Sequence, residues 1–333
     1  MKQYTSLYFV GAGGIGMSAL VRYFLAKGYK VAGYDRTQSP LTTELKTEGL
    51  EIVYEESVES IPDYCRNPET TLVVYTPAIP ASHAGLVYFR EHSFRVVKRA
   101  ELLGLITQSS KGLCFAGTHG KTTTSSMAAH IFHESPIGCN AFLGGILRNY
   151  NSNLILSEQS PFTVIEADEY DRSFHWLHPY MAVVTATDPD HLDIYGTEEA
   201  YLESFARFTS LIQPGGCLIM KKGIKLVPSV KENVKIYTYS ARDGGDFHAG
   251  NIRIGDGTIV FDFVMPEGSV ADIELGVPVE INIENAVAAM AIAWLNGVSG
   301  DDMRRAMASF KGAKRRFEFW VRRPDRVMID DYA

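Results

Sequence analysis

Short apolar runs alternate with helix-spaced segments along most of this chain, and glycine or acid punctuates them. Residues 7–10 (Leu-Tyr-Phe-Val) form the first run, and 17–26 carry apolar positions at helical spacing as far as Gly28. Residues 29–35 then predict a second strand ending in an acid, Asp35. The alternation continues with a helix over 41–48, strands at 51–54 and 72–76, a helix over 87–92, a short strand at 95–97 and a helix over 100–106. Strands alternating with helices predict a parallel, doubly wound sheet, because each crossover helix covers a sheet face. Polar residues 107–111 read as a linker and close a first domain at 1–107.

A second α/β pattern follows. Residues 112–116 are an apolar run, 125–132 are helical, and 162–166 and 181–185 predict buried strands. Residues 142–146 (Phe-Leu-Gly-Gly-Ile), which include Gly144 and Gly145, read as a glycine-containing turn. A helix over 198–211 and a strand over 217–220 come next. Segments 251–254 and 258–263, joined across Asp256-Gly257, predict an antiparallel hairpin. Residues 282–294 are an alanine-rich helix stopped by Gly297, and 299–310 a helix with a Ser299/Asp302 cap. The whole predicts a second domain, 108–322, with a mixed sheet. Residues 328–333 form an apolar strand ending in acids, an unusual place for a domain to stop, so 323–333 is expected to open a further domain absent from this chain.

Composition narrows the classes. At 333 residues the chain has room for two domains or three. A net charge of -7 argues against general nucleic-acid binding, which needs a basic face. No stretch approaches the ~20 apolar residues of a membrane span. The first strand runs straight into a glycine turn, unlike a cleavable signal. Cys65, Cys114, Cys139 and Cys217 are scattered and read as reduced packing thiols of a cytoplasmic protein.

Two glycine turns carry the candidate chemistry. Gly-Thr-His-Gly-Lys-Thr-Thr-Thr at 117–124 lies between a buried strand and a helix. Glycine lets the backbone approach a phosphate, and the N–H groups at the helix start point at the anion. Lys121 would reach the outer phosphates and Thr122 would offer its hydroxyl to Mg²⁺. The spacing, Gly-x-x-Gly-Lys-Thr, is two residues shorter than the usual phosphate loop. Glu166, at a strand end, is a candidate Mg²⁺ ligand, whereas Asp168, Glu169 and Asp171 read equally as a solvated acidic turn. His191 follows a parallel strand at its C-terminal end, where α/β sheets bind ligands. Asn282 is either a helix cap or, with Asn285, part of the site. The cationic segment 311–317 could stabilise phosphate or simply be solvated. The other turn, Gly11, Gly13 and Gly16 with Asp35 nineteen residues further on, fits the dinucleotide fingerprint; alone, it would suggest an NAD-dependent oxidoreductase.

Taken together, the chain resembles the Mur ligase family over essentially its whole length. The resemblance rests on the opening Gly-Ala-Gly-Gly-Ile-Gly-Met-Ser at 11–18, Lys-Arg-Ala-Glu-Leu-Leu at 98–103 and the loop at 117–124. It continues through Glu-Ala-Asp-Glu-Tyr-Asp at 166–171, Asp-His-Leu-Asp at 190–193, Asn-Ile-Glu-Asn at 282–285, Arg-Arg-Phe at 315–317 and Asp-Asp-Tyr-Ala at 330–333. It implies a Rossmann-like parallel-sheet domain for a UDP-sugar, a P-loop ATPase-type central domain, and a missing amino-acid domain without which the chain would be inactive. The implied reaction, in peptidoglycan precursor synthesis, joins L-alanine to the lactyl carboxylate of UDP-N-acetylmuramate through an acyl phosphate, with ATP and Mg²⁺. The enzyme would be a cytoplasmic monomer or weak homodimer.

By the same resemblance Gly117, Thr118, Gly120, Lys121, Thr122 and Thr123 hold the ATP phosphates, Asn282 and Asn285 meet adenine, Arg316 the phosphates and Asp331 the ribose. Thr122, Glu166 and His191 hold Mg²⁺, with Lys121, His191 and Glu166 at the chemistry. Gly13, Gly14, Ile15, Gly16, Asp35, Thr76, His119, Gly144 and Gly145 fall to the UDP-linked substrate. Ile281 stands where the family's adenine motif carries His. A ligase attaching a ready-made peptide to the same sugar nucleotide remains an alternative, as does the oxidoreductase, although the latter leaves 117–124 unexplained.

Overall fold

The computed structural model describes residues 3–242, 244–323 and 326–331. The chain divides into two compact units, one ending at Ile106 and the other beginning at Thr107.

In the first unit the elements follow as β1 (Ser6–Val10), α1 (Ile15–Ala26), β2 (Lys30–Tyr34), α2 (Pro40–Thr47), β3 (Glu51–Val53), β4 (Thr71–Tyr75), α3 (Ala84–Glu91), β5 (Arg95–Lys98) and α4 (Arg99–Thr107). The strands form one parallel sheet in the order β3-β2-β1-β4-β5. This is the doubly wound order, and the chain reverses direction across the sheet at β1 and β4, where such sheets open a ligand crevice. All five residues of β1 are buried, as a central parallel strand covered on both faces requires. Gly28, at φ +81°, ends α1. The polar stretch expected at 107–111 shrinks to residues 108–110, since α4 runs to Thr107 and the next strand begins at Lys111.

The second unit continues with β6 (Lys111–Ala116), α5 (Lys121–His133), β7 (Asn140–Leu147), β8 (Ser152–Ile155), β9 (Phe162–Glu166) and β10 (Pro179–Val184). Then come α6 (Leu192–Tyr195), α7 (Glu198–Ser210), β11 (Cys217–Lys221), β12 (Lys235–Ser240), β13 (Phe247–Gly255), β14 (Thr258–Met265), β15 (Gly268–Glu274), α8 (Ile281–Leu295) and α9 (Gly300–Ser309). A last hairpin pairs β16 (Glu318–Arg323) with β17 (Arg326–Asp330). Position 322/323, the expected start of a further domain, lies inside β16. The large sheet runs β15-β14-β13-β12-β11-β10-β6-β9-β7-β8. It is parallel from β13 to β7 and antiparallel at both ends, where the sequence indicated one antiparallel edge.

Three local readings change. Residues 142–146 are not a turn: they lie within β7, whose register against β8 shifts between Phe142 and Leu147. Glycine in a strand interior marks a place where another group comes close, and Gly144 meets Glu166 there. The helix expected from 125 begins at Lys121, so Thr122, Thr123 and Thr124 are helical despite their β-branching. Packing against α8 offsets that cost: Ala286, Ala288, Ala289, Ala291 and Ala293 are fully buried, and their small side chains let α5 approach. Finally, Asn282 does not cap α8, because Glu280 holds the N-cap position.

Candidate functional site

In the first unit, the turn after β1 leads into α1 with Gly14 at the N-cap and no side-chain cap. A glycine turn that opens a helix is the setting in which phosphate sites are built. Each glycine of the fingerprint has a side chain close by. A Cβ on Gly11, which sits at φ +91°, would lie 2.7 Å from Thr76 Cγ2. One on Gly13 would lie 2.6 Å from Thr42 Cγ2, and one on Gly16 2.6 Å from Arg99 Nη1. Asp35 Oδ2 accepts the Gly13 N–H at 2.7 Å, and its Oδ1 accepts from Thr37 N at 3.1 Å. The acid thus ties the end of β2 to the glycine turn. Ile15 is 39% exposed at the start of α1.

In the second unit, β6 enters the loop 117–120 and α5 leaves it. Gly117 sits at φ +138°, and a Cβ there would lie 2.7 Å from Ala186 N. Gly120 sits at φ +83°, with room only to within 2.9 Å of Asn285 Oδ1. The loop is laced to the end of β10. Thr118 N donates to Ala186 O at 3.1 Å, Thr185 Oγ1 donates to His119 O, and Thr118 Oγ1 donates to Asp188 O at 2.7 Å. His119 itself is exposed.

Lys121 Nζ donates to Gly117 O at 2.6 Å and to Glu169 Oε1 at 2.8 Å. Thr122 Oγ1 donates to Glu166 Oε1 at 3.0 Å, while Glu166 Oε2 accepts the Gly144 N–H at 3.2 Å. Burial pushes the Glu166 carboxyl above its ordinary pKa, against the pull of Lys121 and the Thr122 hydroxyl. Glu169 is raised for the same leading reason, with Lys121 opposing. Thr123 is half-buried in the first turn of α5, and Thr124 Oγ1 donates to Asn285 Oδ1 at 3.1 Å.

Asn285 in turn donates to Asn282 Oδ1 at 3.1 Å, and Asn282 donates to Val277 O at 3.2 Å. These two side chains are buried and brace the loop helix against α8, while Ile281 stands 61% exposed beside them. The basic segment comes close too. Lys314 N donates to Ile146 O at 2.8 Å, and a Cβ on Gly145 would lie 3.4 Å from both Ala313 Cβ and Thr122 Cγ2. Arg316 is exposed in that segment, and Asp331 Oδ1 accepts the neighbouring Phe317 N–H at 3.0 Å. Tyr332 and Ala333, the end of the last motif, lie outside the described residues. His191, in the left-handed region at φ 53°, makes a T-shaped contact with Tyr170, ring centroids 5.3 Å apart.

The donor set suits a phosphate and a hard cation. A hydroxyl and a carboxylate side by side, at the start of a phosphate-type helix, provide oxygen ligands for Mg²⁺, which otherwise keeps water and phosphate around it. Among the described residues no group of three or more His, Cys, Asp or Glu side chains is arranged to hold a metal. Thr122 with Glu166 therefore fits a phosphate-shared ion better than an all-protein cage. The sequence left Glu169 undivided from Asp168 and Asp171, as a site acid or a member of a solvated turn; it is 1% exposed and pairs with Lys121. Nothing in an acid-rich run marks which member turns inward.

A doubly wound parallel unit and a phosphate-loop unit with a mixed sheet, each with a glycine turn opening a helix, define an α/β protein of the nucleotide-binding class. Residues 115–293 match the Mur ligase middle domain, and residues 6–111 the Mur ligase family catalytic domain. The chain is 65% identical over 333 residues to a UDP-N-acetylmuramate–L-alanine ligase of Parabacteroides distasonis, covering all of this chain and 72% of that protein. It is 45% identical over 335 residues to the enzyme of the same name from Flavobacterium johnsoniae, again covering all of this chain and 72% of the relative. The solved UDP-N-acetylmuramate–alanine ligase of Thermotoga maritima superimposes with a TM-score of 0.83 at 25% identity, over 98% of this chain and 74% of that one. The chain belongs to the Mur ligase family, and it is an ATP-dependent, amide-forming ligase. No described helix is long and apolar enough to cross a membrane.

Proposed function

We propose that this protein joins L-alanine to the lactyl carboxylate of UDP-N-acetylmuramate, in the cytoplasm, using ATP and Mg²⁺. The observation that carries the reading is the loop 117–122. Its threonine meets Glu166, the last residue of β6's neighbour β9, and its lysine meets Glu169 just past that strand, in a chain 65% identical to a ligase of that name.

ATP, when bound with Mg²⁺, supplies the phosphoryl group that activates the carboxylate as an acyl phosphate and the positive charge that lets two anions meet. The protein's part is binding and charge placement. The backbone N–H groups at the start of α5 hold the phosphates, and Lys121 adds a cation there. Thr122 and Glu166 hold the metal, with Gly144 N–H fixing the carboxylate's second oxygen. His191, His119 and Gly145 are assigned to the carboxylate end of the sugar nucleotide and its metal. Arg316 is assigned to phosphate, Asp331 to ribose, and Asn282 and Asn285 to the adenine side through the brace they form with Thr124. The turn containing Gly13, Gly14, Ile15 and Gly16, with Asp35 and Thr76, takes the UDP moiety. An NAD-dependent reading of that turn would give the second unit's loop nothing to do.

Phosphate release by the full-length protein, with UDP-N-acetylmuramate and a panel of amino acids and the L-alanine-headed tripeptide, tests the reading. Release specific to L-alanine is expected. Release with the tripeptide alone would transfer the assignment to a peptide ligase, and release with neither would sink it.

A further inference from the structure

The Lys121–Glu169 pair has a property that phosphate binding alone does not require. Glu169's side chain is 2% exposed, and its Oε2 is buried with no hydrogen-bond partner among the described residues. A buried carboxylate is held only by good partners, and the Lys121 ammonium at 2.8 Å is the cation that meets it. The backbone of Glu169 is tied down. Its backbone carbonyl accepts from the Tyr195 hydroxyl at 2.5 Å and from Arg172 N at 3.0 Å, and Tyr195 is itself buried. Lys121 sits at the end of a flexible four-carbon stem and is also held by Gly117 O. The two partners differ in setting: the acid is buried on a backbone that is tied down, and the base sits at the end of a longer, more exposed stem.

Resting on the reading of 117–122 as the ATP loop, we propose that Glu169 is the resting counter-ion of Lys121 and competes with nucleotide phosphate for its ammonium. It is a positioning residue that sets how tightly the loop holds ATP and how readily it gives up ADP. When Lys121 turns to a phosphate, its ion pair with Glu169 stretches, and that loss is subtracted from the binding free energy. A ligand and a counter-ion competing for one group are coupled reciprocally, typically by factors of about 5 to 150.

The test is a double-mutant cycle with Glu169→Gln and Lys121→Met, plus Glu169→Asp, read two ways. Titration with Mg-ATP and Mg-ADP should show about tenfold tighter binding for Glu169→Gln, with KM for ATP and kcat both lowered as product is retained. Glu169→Asp, which keeps the charge, should stay near wild type. In the Lys121→Met background the Glu169→Gln effect should largely vanish. Weaker binding by Glu169→Gln, or an equal change in both backgrounds, would overturn the proposal. Thermal melting without nucleotide is the second reading. Lys121→Met should destabilise by leaving the buried Glu169 without its cation, and adding Glu169→Gln should recover part of that loss; strict additivity would overturn the pairing. Wild-type protein that binds no Mg-ATP would overturn the site assignment and this inference with it. That failure is distinguishable, because the melting cycle would still return the coupling.

Discussion

The amide of Gly144 donates to Oε2 of Glu166 at 3.2 Å, and a Cβ at position 144 would lie 2.7 Å from that carboxylate's Cδ. A glycine inside β7 therefore fixes the acid that faces Thr122. Gly144→Ala should fold, with a loss of about 1–3 kcal/mol from overpacking. Displacing the carboxylate should raise the Mg²⁺ needed for half-maximal nucleotide binding by about tenfold. Gly145→Ala, whose Cβ would have 3.4 Å to its neighbours, should leave that requirement nearly unchanged. Magnesium titrations of the two variants, monitored by nucleotide binding, check the pair.

Glu166→Gln separates stability from function. The native carboxyl is held above its ordinary pKa by burial, so ionising it works against the fold. The contribution of such a group to stability is largest below the unfolded glutamate pKa and is lost as pH rises through the raised native value. At neutral pH, Glu166→Gln should melt at or above the wild-type temperature. Its Mg²⁺ affinity in the nucleotide complex should fall roughly 10- to 100-fold. Melting curves and Mg²⁺ titrations at pH 7.5 provide the comparison.

Lys121→Ala removes the loop's cation. Ligase turnover of the full-length protein should drop by the ~10²–10³-fold typical of a lost preorganised electrostatic group. Binding of the UDP-sugar, whose UDP moiety is assigned to the other unit, should be largely retained. A parallel loss of both would contradict the division of ligands between the two turns.

His130 makes a pH-dependent fold contact away from the chemistry. Its ring is 1% exposed, with Nδ1 at 2.6 Å from Tyr150 Oη and Nε2 at 2.9 Å from Ser309 Oγ. Burial pushes its pKa down to about 4, with Glu134 opposing and His133 adding to the fall. A depressed histidine stabilises the fold above the unfolded pKa of ~6.5, and that stability is lost as pH falls towards the native value. The loss should amount to roughly 3 kcal/mol between these limits. Denaturant unfolding of wild type and His130→Gln should show the wild-type advantage shrinking from pH 7 to pH 4.

Asp35→Ala frees the Gly13 amide. A charge-assisted bond to backbone is worth about 1.5–3 kcal/mol, so the first unit should lose stability on that scale. UDP-N-acetylmuramate should bind more weakly while Mg-ATP binding is retained. Calorimetric titration with each ligand discriminates this from general unfolding.

Much of the α/β architecture was legible in the chain. Central parallel strands are buried on both faces and read as apolar runs, as at residues 72–76 and 181–185. The hairpin at Asp256-Gly257 was legible because both positions need positive φ, which they adopt at 50° and 72°. The strands Lys235–Ser240 and Gly268–Glu274 were not, because each is partly exposed and carries little apolar signal, although the first lies inside the sheet and only the second at its edge. Residues 142–146 were misread for the opposite reason: two glycines resemble a turn until the group they make room for is known.

The sequence by itself determined the two glycine turns, the lysine and threonine that follow the second, and the family they mark. Those features are local: positive φ, helix-start N–H groups and residue spacing are properties of a few consecutive positions. Only the tertiary structure decided which acids meet them. Glu166 comes to Thr122 from 44 positions away, and Glu169 to Lys121 from 48. That meeting depends on β6 and β9 being sheet neighbours, a long-range pairing that no local pattern of polar and apolar residues encodes.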